Sequence, residues 1–289
     1  MVIYSKKELF SMNEYAYYNG VFTPYDAAAI PLSDRSIFFG DAVYDVVVGR
    51  GKSLYQFDEH IERILRNAAS IGLDRLPTKK AIAEAADTLL ELASADEFML
   101  YVQLSSDAAR RAHSRGGKNV NLLMTVTECK LPTDLCDIRA ITLPDMRHRF
   151  CDLKTTGLLP AVLSVEEAKR RGADIAIFHR EGTVTECSYA NVALLKDGTV
   201  VTHPLDRDIL PGITQDNLER GCEVLGIAHE SRTFTVEELY SADAVMISST
   251  TKLIKICTEL DGVTLDVSKR DTVKALFDVL RADMQSKIG

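Results

Sequence analysis

Apolar residues at helical spacing predict two amphipathic helices in the first half of the chain. The first begins at Asp58, which we expect to act as its N-cap, and the second begins at Thr78. Each pattern places its apolar residues on one face, as a helix packed against a core requires. The inward positions are Ile61, Ile64, Leu65 and Ala68 in the first helix and Ile82, Ala86, Leu89, Leu90 and Ala93 in the second.

Short apolar runs predict strands before and after these helices. Residues 15–22 are typical of a β-hairpin, because Asn19-Gly20 is a strong two-residue turn signal. The valine-rich end of segment 34–48 favours a strand. Two more strands are predicted at 97–105 and 119–127, on either side of a polar loop at 107–118.

The second half of the chain mixes both patterns. A helix is predicted from Pro160 to Arg171, where Gly172 ends it, and another opens at the turn 210–214. A hairpin is predicted around Asp197-Gly198. Further strands are predicted near 138–143, at 174–179 and at 243–248.

The two halves are separated by a polar segment, CKLPTD at 129–134, which is the best candidate for a linker. We therefore predict an α+β protein with an N-terminal domain at 1–128 and a C-terminal domain at 135–289.

Composition narrows the class of protein. The chain has 289 residues, 46% hydrophobic and 26% charged, which is typical of a globular protein. Its net charge of −8 and the lack of a long basic block argue against nucleic-acid binding. Six cysteines without a Cys-x-x-Cys pair predict reduced thiols, no metal site and a cytoplasmic location. Neither a signal peptide nor an apolar run of membrane-spanning length is found.

Lys154, in the stretch CDLKTTGLLP, is the first candidate for chemistry. Small and apolar residues follow it directly, and a lysine that loses hydration there favours its neutral amine. A neutral amine condenses with an aldehyde or accepts a proton. The alternative is an ordinary solvated lysine, which is the commoner case.

A phosphate-bearing aldehyde cofactor needs two further elements, an acid for its ring nitrogen and donors for its phosphate. Glu186 offers the acid. Gly212-Ile213-Thr214 offers backbone N–H groups at a helix N-terminus, Ser249-Thr250 offers hydroxyl groups, and Arg63 offers a guanidinium. Each also has an ordinary interpretation as a surface acid, an N-cap, a turn or a solvated helix face. Pattern alone leaves the cofactor open.

The motifs taken together resemble the D-amino-acid aminotransferases of the fold-type-IV, class IV family of pyridoxal-phosphate enzymes. The resemblance covers nearly the whole chain. It is carried by FFGDAVYDVV, DEHIERIL, RRAH, CDLKTTGLLPAVL, EAKRRGADIAIFHREGTVTECSYAN, ILPGIT and ISSTTKLIKICTELDG.

The resemblance implies a two-domain fold with a smaller N-terminal α/β domain and a larger C-terminal domain that is mixed α/β and barrel-like. It implies pyridoxal 5′-phosphate as the cofactor, with Lys154 as the Schiff-base and proton-transfer residue and Glu186 on the pyridine nitrogen. Leu210 is expected to pack on the ring. The expected phosphate ligands are Arg63, Ile213, Thr214, Ser249 and Thr250.

The resemblance further implies that Tyr44, Arg111 and His113 bind the substrate α-carboxylate, with the loop residues supplied by the partner subunit of a homodimer. The expected reaction converts D-alanine and 2-oxoglutarate to pyruvate and D-glutamate. The sequence departs from the family pattern at Ser106-Asp107 and at Tyr189, and the preferred side chains stay open.

Two other functions also stay open. One is a transaminase or lyase of the same fold acting on branched-chain L-amino acids, (R)-amines or aminodeoxychorismate. The other is a non-catalytic binding domain.

Overall fold

The computed structural model describes residues 14–107, 111–116 and 119–289. Residues 1–13 and Arg110 of the polar loop lie outside these residues. The helices are α1 (Arg35–Phe39), α2 (Phe57–Ser70), α3 (Lys79–Leu92), α4 (Leu159–Arg170), α5 (Ile213–Leu225), α6 (Val236–Tyr240) and α7 (Arg270–Ile288). The strands are β1 (Tyr15–Tyr18), β2 (Val21–Pro24), β3 (Ala42–Arg50), β4 (Ser53–Leu54), β5 (Glu97–Ser106), β6 (Val120–Glu128), β7 (Cys136–Pro144), β8 (Ile175–Arg180), β9 (Thr183–Cys187), β10 (Asn191–Lys196), β11 (Thr199–Thr202), β12 (Ala228–Ser231), β13 (Ala244–Ser249), β14 (Leu253–Leu260) and β15 (Val263–Thr264).

The chain divides into two compact units. The first comprises residues 1–131, 153–157 and 287–289, and the second comprises 132–152 and 158–286. The segment 153–157 groups with the first unit because the N–H of Tyr44 donates to the Lys154 carbonyl oxygen at 2.9 Å. The N–H of Thr156 likewise donates to the carbonyl oxygen of Ala42. The predicted domain limits stay a prediction.

The first unit is built on an antiparallel sheet with strand order β2-β1-β6-β5-β3-β4. Helices α2 and α3 cover one face of it. Side chains alternate between the two faces of a strand, so β3 directs Val43, Asp45 and Val47 toward the helices and Tyr44 away from them. The core here combines Val43 and Val47 with apolar side chains of β5, β6 and both helices.

The predicted inward faces of these helices are confirmed. Ile61 and Ile64 in α2 and Ile82 and Leu89 in α3 are fully buried. Thr78 caps α3, because its side chain accepts a hydrogen bond from the N–H of Ala81. The predicted cap of α2 was wrong.

Helix α2 begins at Phe57, one residue before Asp58, and Gln56 in the left-handed region is its N-cap. Asp58 instead lies in the first turn, where its charge suits the helix dipole.

The second unit is built on a mixed sheet with strand order β12-β11-β10-β13-β14-β7-β8-β9, and β15 pairs with β14. Its parallel pairs are β11 with β12, β14 with β7, and β7 with β8. Strand β9 lies at one end of this order, yet only residues 188–190 join it to β10 near the other end. The sheet therefore curls back on itself, as the barrel-like prediction required.

Helix α5 begins at Ile213, directly after the predicted turn, and packs near β12 and β13. Helix α4 covers β7 and β8. It begins one residue before the predicted Pro160, and Gly172 follows it with a positive φ of 79°. The fold thus brings the ends of β9 and β13 and the start of α5 into the same unit.

Candidate active site

Lys154 lies against Tyr44 in the first unit. Its Nζ is 3.4 Å from the hydroxyl oxygen of Tyr44 and 4.4 Å from the centre of that ring. Tyr44 in turn stacks on Tyr101, with ring centres 5.4 Å apart. Within the described part of the chain, the amine of Lys154 has no carboxylate partner. Lys154 is half-buried, so its side chain is partly shielded from water.

Asp45 follows Tyr44 on β3 and points to the opposite face, where α2 brings His60 and Arg63 to it. Arg63 donates from Nε and Nη2 to the two carboxylate oxygens, both at 2.8 Å. Nδ1 of His60 lies 2.8 Å from one of the same oxygens. Arg63 is 4% exposed. The ordinary interpretation of Arg63 as a solvated helix residue is therefore wrong.

Electrostatics fixes the charge states of this group. Burial alone would raise the pKa of Asp45, but the charge of Arg63 and the hydrogen bonds from His60 and Arg63 outweigh it and lower that pKa. Burial lowers the pKa of His60, against the hydrogen bond to Asp45. Asp45 is therefore an ionised acceptor that orients the Arg63 guanidinium.

Glu186, one residue before the end of β9, is 6% exposed and accepts hydrogen bonds from several groups of the second unit. Arg147 donates to one carboxylate oxygen. The other oxygen accepts from the side-chain amide of Asn191 at 3.2 Å and from the N–H of Leu210 at 3.1 Å. The ordinary interpretation of Glu186 as a surface acid is wrong, and its surroundings favour the carboxylate form.

Arg147 connects Glu186 to a second buried acid, Asp145. It donates to Asp145 from Nε at 2.9 Å and from Nη2 at 2.8 Å, and its guanidinium lies over the Phe178 ring. Burial would lower the pKa of Arg147, but the hydrogen bond to Asp145 and the charge of Glu186 raise it. Arg147 is thus a permanent cation beside Glu186.

The start of α5 lies next to the Glu186 group. Gly212 is the N-cap and supplies no side-chain hydrogen bond. A Cβ at Gly212 would overlap the side-chain amide of Asn191, so only glycine fits. Asn191 pairs in register with Ser248, which precedes Ser249 at the end of β13. This places Ile213, Thr214, Ser249 and Glu186 around one region of the second unit.

This region suits an anion. Within the part of the chain that the structure describes, the N–H groups of Ile213 and Thr214 donate to no acceptor. Such unpaired N–H groups at a helix N-terminus favour a phosphate. The residues of this unit therefore fit the phosphate and the ring nitrogen of the predicted cofactor. Which residues hold the cofactor stays a prediction.

The loop after β5 carries Arg111 and His113, both exposed in the first unit. The Arg111 guanidinium lies 5.5 Å from the centre of the Phe39 ring, and the His113 ring meets the same ring edge-on at 5.5 Å. No hydrogen bond or ring contact between described residues joins this pair to Tyr44 or Lys154. Within one chain, the predicted carboxylate-binding residues thus form two separate groups.

Comparisons with known proteins identify the family of the chain. Residues 42–260 match the family described as amino-transferase class IV. The chain belongs to the class IV aminotransferases. It is therefore an enzyme, and the predicted family, fold type and pyridoxal 5′-phosphate cofactor are confirmed.

Individual relatives give the same result. The D-alanine aminotransferase of Staphylococcus aureus (strain MSSA476) is 33% identical over 260 residues, which are 89% of this chain and 92% of the relative. A branched-chain aminotransferase from Thermoproteus uzoniensis, solved with norvaline, has a TM-score of 0.85 at 24% identity and covers 94% of this chain and 95% of its own. A branched-chain amino acid aminotransferase from Thermobaculum terrenum, solved in its PLP form, has a TM-score of 0.85 at 19% identity over 96% of each chain. The solved structures establish the fold.

Sequence reasoning missed several residues of the site. Arg147 was missed, although an arginine close in sequence to a candidate lysine is a visible signal. Asn191 was part of a recognised motif without a role. Asp45 and His60 likewise lay within recognised motifs without a role, because their contact depends on the packing of α2 against β3.

Proposed function

We propose that this chain is a pyridoxal 5′-phosphate-dependent D-amino-acid transaminase that converts D-alanine and 2-oxoglutarate to pyruvate and D-glutamate. The observation that carries the proposal is the similarity to D-alanine aminotransferases along most of the chain. The stretch that matches the family, residues 42–260, spans the loop with Arg111 and His113. The described residues offer the Arg111 guanidinium no acid partner, so this cation is available to a substrate carboxylate.

The cofactor, when bound, supplies an aldehyde that takes up the amino group and a ring that withdraws electrons from the substrate. Lys154 is the catalytic residue of the proposal. Its Nζ accepts the α-proton of the amino acid and later returns it, acting as base and acid in turn. The Tyr44 hydroxyl, 3.4 Å away, helps to orient this amine. These roles rest on an amine without a carboxylate partner.

Residues of the second unit are proposed to set the charge at the cofactor ring and to bind the phosphate. Glu186 is the proposed acceptor for the ring nitrogen, and Arg147 behind it favours its ionised form. Leu210 fixes the carboxylate through its N–H and is proposed to pack on the ring. The proposed phosphate ligands are Arg63, Ile213, Thr214, Ser249 and Thr250.

The experiment is a substrate panel on the purified protein loaded with pyridoxal 5′-phosphate. Absorbance of the cofactor is followed after addition of D-alanine, L-alanine, L-leucine or an (R)-amine, with 2-oxoglutarate as the second substrate. The proposal expects a spectral change and turnover with D-alanine only. Turnover with L-leucine, with the (R)-amine, or pyruvate release from aminodeoxychorismate would favour another activity of the same fold.

We propose further that the enzyme is a homodimer in which Arg111 and His113 act in the partner's site. Exposed apolar side chains on α4 support a covered surface: Leu159, Val162 and Leu163 are each more than half exposed. Within one chain, Arg111 has no contact with Lys154 among the described residues, which also supports a role in another subunit.

Mixing two inactive variants tests this arrangement. A heterodimer of Lys154→Ala and Arg111→Ala subunits has one intact site if the loop acts on the partner, and none if it acts on its own chain. The proposal expects the mixture to recover activity after subunit exchange, whereas each variant alone stays inactive. Failure to recover activity, with exchange verified by mass, would contradict it.

We also propose a cytoplasmic location. All six cysteines are free thiols, which is typical of a reducing compartment. Among the described residues, no helix combines the length and apolar character needed to cross a bilayer. Fractionation of the source cells, with the protein detected by antibody, tests the location.

A further inference from the structure

The loop that carries Arg111 and His113 is fastened to the first unit by two other arginines, Arg35 and Arg115. Arg35, in α1, is 4% exposed. Its Nε donates to Asp41 at 2.8 Å. Its two remaining nitrogens donate to the carbonyl oxygens of three consecutive loop residues: Ala112 at 2.6 Å, His113 at 3.1 Å and Ser114 at 3.4 Å.

Arg115 fastens the loop from the other side. Its Nε donates to Asp41 at 2.9 Å, and its Nη2 donates to the second oxygen of the same carboxylate. Its Nη1 donates to the carbonyl oxygens of Ile71 at 2.6 Å and Gly72 at 3.0 Å. These carbonyls lie at the end of α2, where helical carbonyls lack partners within the helix. The Arg115 side chain thus joins the loop to Asp41, which precedes β3, and to the end of α2.

Asp41 is the shared acceptor of both arginines. Burial alone would raise its pKa, but the hydrogen bonds from Arg115 and Arg35 outweigh burial and lower it. Asp41 is therefore an anion between two cations. The donors of Arg35 and Arg115 are engaged within the protein, in contrast with those of Arg111. Arg35 and Arg115 thus serve the loop, and Arg111 is left for a ligand.

Phe39, at the end of α1, is the surface on which the loop side chains rest. Its ring contacts the guanidinium of Arg111, the ring of His113 and, at 4.4 Å from its centre, the guanidinium of Arg35. Gly40, with a positive φ of 59°, then turns the chain toward Asp41. The residue that supports the loop side chains is thus two positions from the acid that anchors the loop backbone.

We infer that Arg35, Asp41 and Arg115, here called the clasp, position Arg111 and His113 and so determine the affinity for the substrate α-carboxylate. The clasp residues are positioning residues, since their side chains bind the loop. The inference rests on the proposed function, because the carboxylate is the group that the loop would receive. A guanidinium forms a bidentate interaction with a carboxylate only when its nitrogens are correctly oriented. The clasp restricts the orientation of the loop and so that of the Arg111 guanidinium.

Arg115→Ala is the variant of choice. The Arg115 side chain is 29% exposed, so its removal disturbs the packing less than removal of the buried Arg35 would. Arg115→Lys keeps the cation but loses the planar fork. Arg66→Ala, which removes an exposed arginine from α2, is the matched control. Asp41→Asn is a second test, because it removes the negative charge and one of the two shared acceptor oxygens but keeps the size of the side chain.

Two measurements are made on each variant. The first is amide hydrogen exchange of residues 111–116 in the protein without cofactor, where Arg115→Ala is expected to exchange faster than wild type and Arg66→Ala to match it. The second is steady-state kinetics of the loaded enzyme. Arg115→Ala is expected to raise the KM for D-alanine about tenfold, as for loss of one charged hydrogen-bond pair, with kcat and cofactor affinity nearly unchanged. Arg115→Lys is expected to recover part of this loss.

Three outcomes would overturn the inference. Unchanged exchange in both Arg115→Ala and Asp41→Asn means that the clasp does not restrain the loop. Faster exchange with an unchanged KM means that the restraint has no effect on carboxylate binding. A parallel fall of kcat, kcat/KM and cofactor affinity means a general structural role. Failure of the proposed function gives a different result, since the wild-type enzyme would then not turn over D-amino acids while the exchange experiment still reports on the clasp.

Discussion

Each compact unit pairs a buried carboxylate with an arginine, and opposite members of the two pairs are proposed to bind the cofactor. In the first unit Asp45 is fully buried on β3, and Arg63 lies on α2. In the second unit Glu186 lies one residue before the end of β9, and Arg147 lies beside it together with Asp145. In the proposed function, the arginine of the first pair, Arg63, binds the cofactor, and Asp45 orients it. In the second pair the acid, Glu186, binds the cofactor, and Arg147 stabilises its negative charge.

This difference matches the two groups of the cofactor that the pairs are proposed to bind. A phosphate needs a cation whose fork is fixed in direction, and two hydrogen bonds from Arg63 to Asp45 fix it. A ring nitrogen needs a nearby acid that stays ionised despite burial. Arg147, the Asn191 amide and the Leu210 N–H stabilise that charge on Glu186. Removal of each acid should therefore affect different steps.

Glu186→Gln is expected to have the largest effect among the substitutions that test this comparison. It keeps the shape and an acceptor oxygen but removes the negative charge. We expect kcat to fall on the order of a hundredfold, the scale on which one charge-stabilising group contributes to an active site, while cofactor affinity changes little. Turnover of the loaded enzyme is measured beside Glu166→Gln, an exposed acid of α4. Loss of cofactor binding with an unchanged kcat would reverse the assignment.

Asp45→Asn is expected to give the opposite pattern. Arg63 loses its charged acceptor, so the dissociation constant for pyridoxal 5′-phosphate should rise about tenfold, as for one charged hydrogen bond. Binding of pyridoxal, which lacks the phosphate, should change much less. The chain has no tryptophan, so binding is followed by cofactor absorbance.

Asp58→Asn, at an exposed position of α2, is the control for this measurement. Equal weakening of binding for the two ligands would show that Asp45 does not act through the phosphate.

The lowered pKa of Asp45 also predicts that the free energy of unfolding decreases in acid. Because the pKa of Asp45 is below its ordinary value of 3.8 in the folded protein, the unfolded state binds more protons as the pH falls. Asp45 therefore contributes its full stabilisation above its ordinary pKa, and this contribution is lost progressively as the pH falls below that value toward the lowered pKa of the folded state. Urea unfolding at pH 5 and pH 3 should show a smaller loss in Asp45→Asn than in wild type. An equal loss in both proteins would contradict the assignment.

Thr214→Val is expected to have the smallest effect. It removes one hydroxyl from the first turn of α5 and leaves the backbone N–H groups in place. The dissociation constant for pyridoxal 5′-phosphate should rise about threefold, the lower range for one neutral hydrogen bond. Thr264→Val, at an exposed position of β15, is the matched control. An effect as large as that of Asp45→Asn would mean that the hydroxyl, rather than the helix N-terminus, dominates this side of the site.

Local pattern predicted most of the elements. The turn at Asn19-Gly20 and the apolar stripe of α2 are properties of a few adjacent residues, and the structure has both. The cap of α2 could not be predicted in this way. Asp58 is a good capping residue, but Gln56 adopts a positive φ of 53° and begins the helix one residue earlier. A short turn after β4 decides this cap, and its geometry has no simple sequence signal.

Some residues of the candidate site could likewise be predicted from motifs, whereas others depend on packing between elements. Lys154 and Glu186 were found from motifs, because the chemistry needs an amine and an acid in a recognisable context. The role of Asp45 could not be predicted from the sequence, because a carboxylate within a valine-rich strand acquires its partners only when α2 packs on β3. Arg115 was hidden for the same reason, because Asp41 lies 74 positions away from it along the chain.

The most direct test of the account is Lys154→Ala, loaded with pyridoxal 5′-phosphate and mixed with D-alanine. The account predicts a changed cofactor spectrum and a fall in the half-reaction rate on the order of a thousandfold, as for loss of a catalytic acid–base group. Lys169→Ala, an exposed lysine of α4, should react at the wild-type rate. A Lys154→Ala enzyme that converts D-alanine as fast as wild type would contradict the account.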